Sequence, residues 1–150
     1  MAKREWMIPL AAALAAVGGC ATVPGPDPVV TTSNDQIATQ AKTFYATLAT
    51  KTAPDCAFEA NAATYATLKT DAGKLRDHVA GAGEDTALLT AATELDKAVA
   101  GAERSHQLAS ARTDDPSGAC LAPDVLTLNA DAIARATDAI KQLQQAREAR

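Results

Sequence analysis

Three polar residues interrupt the apolar stripes of three alanine-rich segments: Asn61, His106 and Asn129. Two amides and an imidazole are able to hold a small polar ligand, or a partner's side chain, through hydrogen bonds. They are equally able to form a buried polar layer that fixes the register of packed helices. In a third interpretation the stripe is misassigned by one position and the three side chains face solvent. The sequence leaves all three interpretations open.

Catalytic chemistry finds little support. Ser105 and His106 are neighbours on a segment with helical spacing, so their side chains diverge and do not form a nucleophile–base pair. The chain contains none of the patterns GxSxG, HExxH, P-loop or CxxCH. His78 and His106 are distant from each other and lack the spacing of metal ligands. We expect a protein that is not an enzyme and that uses no cofactor or metal.

The acidic side chains suggest solvated surface instead of a site. They are dispersed over the segments with helical spacing, as single positions and not as a paired set. Charges placed in this way are typical of the solvent face of a helix. The main members are Asp71, Asp77, Glu94, Asp96, Glu103, Asp131 and Asp138.

The N-terminus has the organisation of a targeting segment. Lys3 and Arg4 precede an apolar stretch over residues 6–17. This stretch is too short to span a bilayer core, which needs about 20 helical residues. A basic flank before a short apolar region is typical of a secretory signal peptide. An uncleaved anchor is the alternative.

The segment ends in Val17-Gly18-Gly19-Cys20, which resembles the lipobox of bacterial lipoproteins. The resemblance implies removal of residues 1–19 and acylation, including palmitate, of Cys20. Ala21 follows the cysteine, whereas an aspartate there usually retains enterobacterial lipoproteins at the inner membrane. The resemblance therefore implies an anchor in the inner leaflet of the outer membrane, facing the periplasm. Alternatively, an ordinary signal peptide is cut after a small residue and Cys20 is incidental.

The chain has three cysteines, an odd number. If the lipobox resemblance holds, Cys20 carries the lipid and two thiols remain in a compartment that oxidises them. Cys56 and Cys120 are then expected to form a disulfide. The alternative is two unpaired buried thiols.

Composition limits the size of the domain and its partners. The chain holds 14 Lys+Arg against 18 Asp+Glu, a formal net charge of −4, without a basic cluster. We therefore expect no nucleic-acid partner. Residues 20–33 contain three prolines and no helical period, which predicts an extended tether behind the lipidated cysteine. Residues 34–150 are enough for one domain.

Helical periodicity continues through that domain. Helices are predicted over residues 34–51, 55–80, 84–112 and 123–147, the first with a capping box formed by Ser33 and Gln36. Short connections favour an all-α, antiparallel up-down-up-down four-helix bundle. In that topology Cys56 and Cys120 lie at the same end, where a disulfide can join them. The three polar stripe residues should lie towards that end too.

The sequence thus predicts a lipid-anchored periplasmic module that binds or scaffolds another envelope protein. One alternative is a phage- or prophage-type membrane lipoprotein acting in lysis or in exclusion of infection. Another is a carrier that holds a small ligand at the polar end of the bundle.

Overall fold

The computed structural model describes residues 25–83, 85–111 and 120–149. The signal peptide, Cys20 and most of the loop predicted after the third helix lie outside these ranges. The described residues form helices and turns without a strand. Each helix packs against the next, and the last packs against the first. This confirms the antiparallel four-helix bundle, whose helices are α1 (Pro28–Leu48), α2 (Phe58–Ala82), α3 (Thr86–Ser110) and α4 (Pro123–Glu148).

Helix α1 begins six residues earlier than the sequence predicts, so residues 28–33 belong to the bundle and not to the tether. Asp27 is the N-cap, and its carboxylate accepts hydrogen bonds from the backbone N–H groups of Val29 and Val30. Pro28 is compatible with the first turn because its missing N–H would have no intrahelical partner there. The Ser33 capping box is therefore wrong, since Ser33 lies inside the helix.

Each helix buries one stripe against the common core. On α2 the predicted stripe is buried from Asn61 to Val79, and on α3 from Leu88 to His106. On α1, Tyr45 is buried, whereas its neighbour Phe44 is only half-buried. Alanine occupies several core positions, so the helices approach closely. The largest fully buried side chains are Tyr65, Ile37, Leu68, Leu95, Ile133 and Ile140.

The two ends of the bundle are built differently. One end holds the disulfide between Cys56 and Cys120, whose Cα atoms are 5.1 Å apart, and a small apolar cluster with Leu48 and Leu121 packs there. The opposite end holds the starts of α1 and α3. Because α1 is 21 residues long, a rise of 1.5 Å per residue separates the two ends by about 30 Å.

Ion pairs cross the α2–α3 side of the bundle. Lys69 of α2 binds Glu103 of α3 at 2.7 Å, and Arg76 binds Asp96 two turns further along. These pairs border the α2–α3 seam on its solvent side. The α1–α4 and α3–α4 sides are instead bordered by alanines over much of their length.

Candidate functional site

The three polar stripe residues lie at the disulfide end and are buried. Asn61 is 3% exposed, His106 is fully buried, and Asn129 is 9% exposed. The solvent-facing interpretation is therefore wrong. Two of the three contact one stretch of backbone, residues 55–58, which carries Cys56.

His106 connects two helices to this stretch. Its Nε2 atom is 2.8 Å from the carbonyl oxygen of Cys56, and its Nδ1 atom is 3.1 Å from the hydroxyl of Tyr65. A carbonyl only accepts, so Nε2 carries the proton. In the neutral ring Nδ1 then accepts from the Tyr65 hydroxyl. Burial lowers the pKa of His106 and outweighs the Cys56 hydrogen bond, which raises it.

Asn61 holds the same turn from α2. Its Nδ2 atom donates to the carbonyl oxygens of Asp55, at 2.9 Å, and Ala57, at 2.7 Å. Its Oδ1 atom accepts from Lys51 Nζ at 3.1 Å, which joins the end of α1 to the start of α2. Every polar atom of the Asn61 side chain thus has a partner within the chain.

Asn129 makes a separate connection between α4 and α3. Its Nδ2 atom donates to Ser105 Oγ at 2.7 Å, and this hydroxyl donates to the carbonyl oxygen of Ala102 at 2.9 Å. Ser105 therefore supports the packing of α3 against α4, and its hydroxyl bonds Asn129 and Ala102 and not the adjacent His106. This bond also sets α3 and α4 in register.

Ser110 is a further member of this layer that the apolar stripe pattern does not reveal. Its Oγ atom accepts from the backbone N–H of Phe58 at 2.7 Å, where α2 begins without a side-chain cap of its own. The four N-terminal N–H groups of a helix lack intrahelical partners. Ser110 of α3 therefore accepts the hydrogen bond from an N-terminal N–H group of α2 that a local N-cap side chain would otherwise accept. No pattern within the α2 sequence could reveal this partner.

Two tyrosines complete the interior of this end. Burial raises the pKa of Tyr65, and the neighbouring Tyr45 raises it further. Burial also raises the pKa of Tyr45. The Tyr45 hydroxyl is buried next to Tyr65 and makes no hydrogen bond of ordinary geometry among the described residues. Both phenols thus stay protonated at neutral pH, so the arrangement is suited to packing and hydrogen bonding and not to base chemistry.

The opposite end is organised around two aspartates that cap helices. Asp27 caps α1 and binds His78 Nε2 at 2.8 Å, while its backbone N–H donates to Gln144 Oε1 at 2.8 Å. Partial burial raises the pKa of Asp27, but hydrogen bonds from His78 and the backbone lower it more. Nothing in the spacing of His78 along the sequence indicates this contact with Asp27.

Asp85 repeats the arrangement on α3. It accepts from the backbone N–H of Leu88 at 2.8 Å and binds Arg147, at the end of α4, at 2.5 Å. The Leu88 hydrogen bond lowers the pKa of Asp85; burial opposes this, and Arg147 reinforces it. Both aspartates thus join the start of one helix to the end of another.

Grooves with room for a partner lie on the outside of the bundle, and one of them, of about 640 Å³ between α1 and α2, is lined by Asn61 and Lys51. Two others are rich in alanine. A groove of about 610 Å³ follows α1 and α4. A second groove, of about 860 Å³, follows α3 and α4. Alanines form much of both, and neither is lined by His106 or Asn129. The alanines of the α1–α4 groove are Ala38, Ala41, Ala46, Ala49, Ala130 and Ala134. The alanines of the α3–α4 groove are Ala87, Ala91, Ala98, Ala132, Ala136 and Ala139.

Three further observations bear on chemistry and on relatives. Within residues 25–83, 85–111 and 120–149, no three His, Cys, Asp or Glu side chains are grouped as metal ligands. In the same residues no helix is long and apolar enough to cross a membrane. No family model, curated protein or solved structure matches the chain.

Proposed function

We propose that the chain is a lipid-anchored lipoprotein of the bacterial envelope whose bundle binds or scaffolds another envelope protein. The binding role rests on the contrast between the buried polar residues and the open outer grooves. The polar residues at the disulfide end are turned inward and hydrogen-bonded, whereas alanine-lined grooves lie open along two outer sides. Grooves of small side chains allow a partner helix to approach closely.

The lipid attachment rests on the Val17-Gly18-Gly19-Cys20 pattern and on the cysteine count. The observed pairing of Cys56 with Cys120 leaves Cys20 as the remaining cysteine. A secreted chain with one unpaired thiol at a lipobox position fits acylation of that thiol. Ala21 favours delivery to the inner leaflet of the outer membrane.

The early start of α1 brings the bundle close to the proposed membrane surface. Only six residues, 21–26, separate Cys20 from Asp27. Fully extended, six residues span about 20 Å. The disulfide end would then lie at the far side of the bundle, about 30 Å further into the periplasm. A partner would therefore contact the bundle in the part of the periplasm next to the outer membrane.

In-cell photo-crosslinking tests the binding role. A photoreactive residue placed on the α1–α4 groove, at Ala46, and one on the α3–α4 groove, at Ala139, report on the two grooves separately. Asp77, on the solvent side of α2, is the matched control position. We expect one identifiable protein captured from a groove and not from Asp77. Equal, non-specific capture at all three positions would contradict the proposal.

Intact mass of the same membrane fraction tests the anchor. We expect loss of residues 1–19, added acyl mass on Cys20, and two hydrogens fewer than the reduced chain for Cys56–Cys120. A mature chain with unmodified Cys20 would overturn the lipoprotein assignment. Induced expression that lyses cells or excludes phage would favour the phage-type alternative instead.

A further inference from the structure

A small cavity lies between α1 and α4, near the end of the bundle where α1 begins. It has a volume of about 120 Å³, and Asn34 of α1 and Gln144 of α4 line it. Asn34 is 2% exposed and Gln144 is 3% exposed. One atom of each side chain, Asn34 Oδ1 and Gln144 Nε2, has no hydrogen-bond partner among the described residues. A buried acceptor and a buried donor thus belong to the walls of one cavity.

A backbone group fixes the orientation of each of these carboxamides. Asn34 donates from Nδ2 to the carbonyl oxygen of Thr137 at 3.0 Å, and a carbonyl oxygen only accepts. Gln144 accepts at Oε1 from the backbone N–H of Asp27 at 2.8 Å, and an N–H only donates. Turning either carboxamide over would break its hydrogen bond to the backbone. The atoms left over are therefore an acceptor on Asn34 and a donor on Gln144.

The two side chains approach the cavity from opposite ends. The Asn34–Thr137 and Asp27–Gln144 contacts join antiparallel helices and are seven residues apart on each helix. Asn34 and Gln144 therefore lie about 10 Å apart along the bundle. Because side chains lean towards the N-terminus of their own helix, Asn34 leans towards Gln144 and Gln144 leans towards Asn34. The cavity lies between them.

The pairing of a donor with an acceptor restricts the chemistry of an occupant. Buried side-chain donors and acceptors are seldom left unsatisfied in native proteins, because each has lost its hydrogen bonds to water. An occupant that satisfies both must donate to Asn34 Oδ1 and accept from Gln144 Nε2. A carboxylate only accepts and an ammonium only donates, so either ion leaves one atom unsatisfied. A primary carboxamide does both with one planar group.

The size and the rim of the cavity fit a small neutral group. Its volume corresponds to about four molecules of liquid water, or to a ligand of about five heavy atoms. Asp35, Lys141 and Glu148 border it and are exposed. Because the rim carries both signs of charge, it does not select an ion of either sign.

We propose that this cavity binds a primary carboxamide. The N–H of the ligand donates to Asn34 Oδ1, and its carbonyl oxygen accepts from Gln144 Nε2. Both protein atoms are already held by their backbone contacts, so the site is formed before the ligand arrives.

The cavity continues the α1–α4 groove towards the tether. Asn34 lies one turn before Ala38, and Lys141 lies one turn after Asp138; Ala38 and Asp138 line that groove. Two sources offer the same chemistry: a free small amide, and the asparagine or glutamine side chain of a partner lying in the groove. The second source rests on the proposed binding function, whereas the site itself does not.

Titration of the full chain with three probes of similar size tests the site. The chain carries Cys20→Ala, and nitrogen–proton correlation NMR follows the side-chain amide groups of Asn34 and Gln144. Propionamide should shift both signals saturably, with a dissociation constant in the millimolar range because so small a ligand makes few contacts. Propionate and propylammonium should bind at least tenfold more weakly. Equal shifts for the three probes, or none up to about 100 mM, would overturn the proposal and leave water as the occupant.

A matched pair of variants tests the donor. Gln144→Glu keeps an acceptor for the Asp27 N–H but replaces Nε2 with a second acceptor, so propionamide should bind at least tenfold more weakly and propylammonium more tightly. Gln145→Glu adds the same charge at an exposed position on the rim and should change propionamide binding less than about twofold. Equal losses in the two variants would contradict the assigned donor. If Gln144→Glu loses its helical circular dichroism, the three probes on the unaltered cavity still decide.

Crosslinking separates the two sources of the carboxamide. With the photoreactive residue at Ala46, loss of capture in Gln144→Glu and not in Gln145→Glu would assign the carboxamide to the partner. Unchanged capture in both would assign it to a free small amide, and either result is compatible with the site. If no partner is captured by the parent chain, the proposed binding function fails, while the probe titration still judges the cavity.

Discussion

The Nε2 atom of His106 donates a hydrogen bond of 2.8 Å to the backbone carbonyl oxygen of Cys56. This contact joins α3 to the turn that carries the disulfide. The other ring nitrogen accepts from Tyr65 of α2, so one neutral imidazole satisfies two buried groups. The polar residue that looked like a candidate for ligand binding is therefore committed to the packing of the chain.

Replacing His106 with Ala should destabilise the bundle by about 3 kcal/mol. The change leaves the Cys56 carbonyl and the Tyr65 hydroxyl buried without partners and opens a cavity. Chemical denaturation followed by circular dichroism measures the loss. His78→Ala, at a half-exposed position, is the control and should cost less. Equal losses in the two variants would mean that the buried hydrogen bonds contribute little.

Acidification should destabilise the protein through His106. Its pKa is lowered in the folded state, so the unfolded chain binds more protons below the ordinary histidine pKa of about 6.5. The free energy of unfolding should therefore fall as the pH drops below about 6.5, by at most about 1.4 kcal/mol per pH unit. His106→Gln should show a flatter dependence between pH 7 and pH 5. Identical slopes for both proteins would contradict the prediction.

Removing the disulfide should lower stability while preserving the helices. The bond spans 64 residues, and the chain-entropy model gives about 4 kcal/mol for a loop of this size. Asn61, His106 and Ser110 still hold the backbone around residue 56 without it. A Cys56→Ala/Cys120→Ala variant should thus unfold at lower denaturant with unchanged helical signal under native conditions. Loss of helical signal before denaturant is added would show that the hydrogen bonds alone do not hold this end.

Asp27→Ala should cost about 1 kcal/mol, the usual contribution of an N-cap. The side chain also binds His78, so the loss is expected at neutral pH and should diminish in acid, where Asp27 is protonated. Ser33→Ala is the matched control, because the sequence pattern makes Ser33 a cap and the structure places it inside α1. Thermal unfolding of both variants shows whether Asp27 or Ser33 is the N-cap of α1. A larger effect of Ser33→Ala would contradict the observed start.

Some buried residues were invisible to the stripe pattern. Asn34, Thr137 and Gln144 are each about 97% buried although their side chains are polar. Asn34 Nδ2 donates to the carbonyl oxygen of Thr137 at 3.0 Å, and Gln144 accepts from Asp27. Each partner lies more than 100 residues away. A periodicity based on apolar residues assigns such positions to the surface, because it contains no information on distant partners.

The periodicity and connection lengths in the sequence determined the helices, their antiparallel order and the end of the bundle at which Cys56 and Cys120 meet. A stripe with helical spacing must be buried against other stripes, and short connections make neighbouring helices antiparallel, so the bundle follows from the pattern. The tertiary structure decided where α1 begins, which partners satisfy Asn61, His106 and Asn129, and which charges meet across the outer surfaces. These depend on hydrogen bonds and heights between residues far apart in the chain. Val30 is an example: the sequence pattern placed it in the tether, whereas in the structure it lies in α1 and is buried in the core.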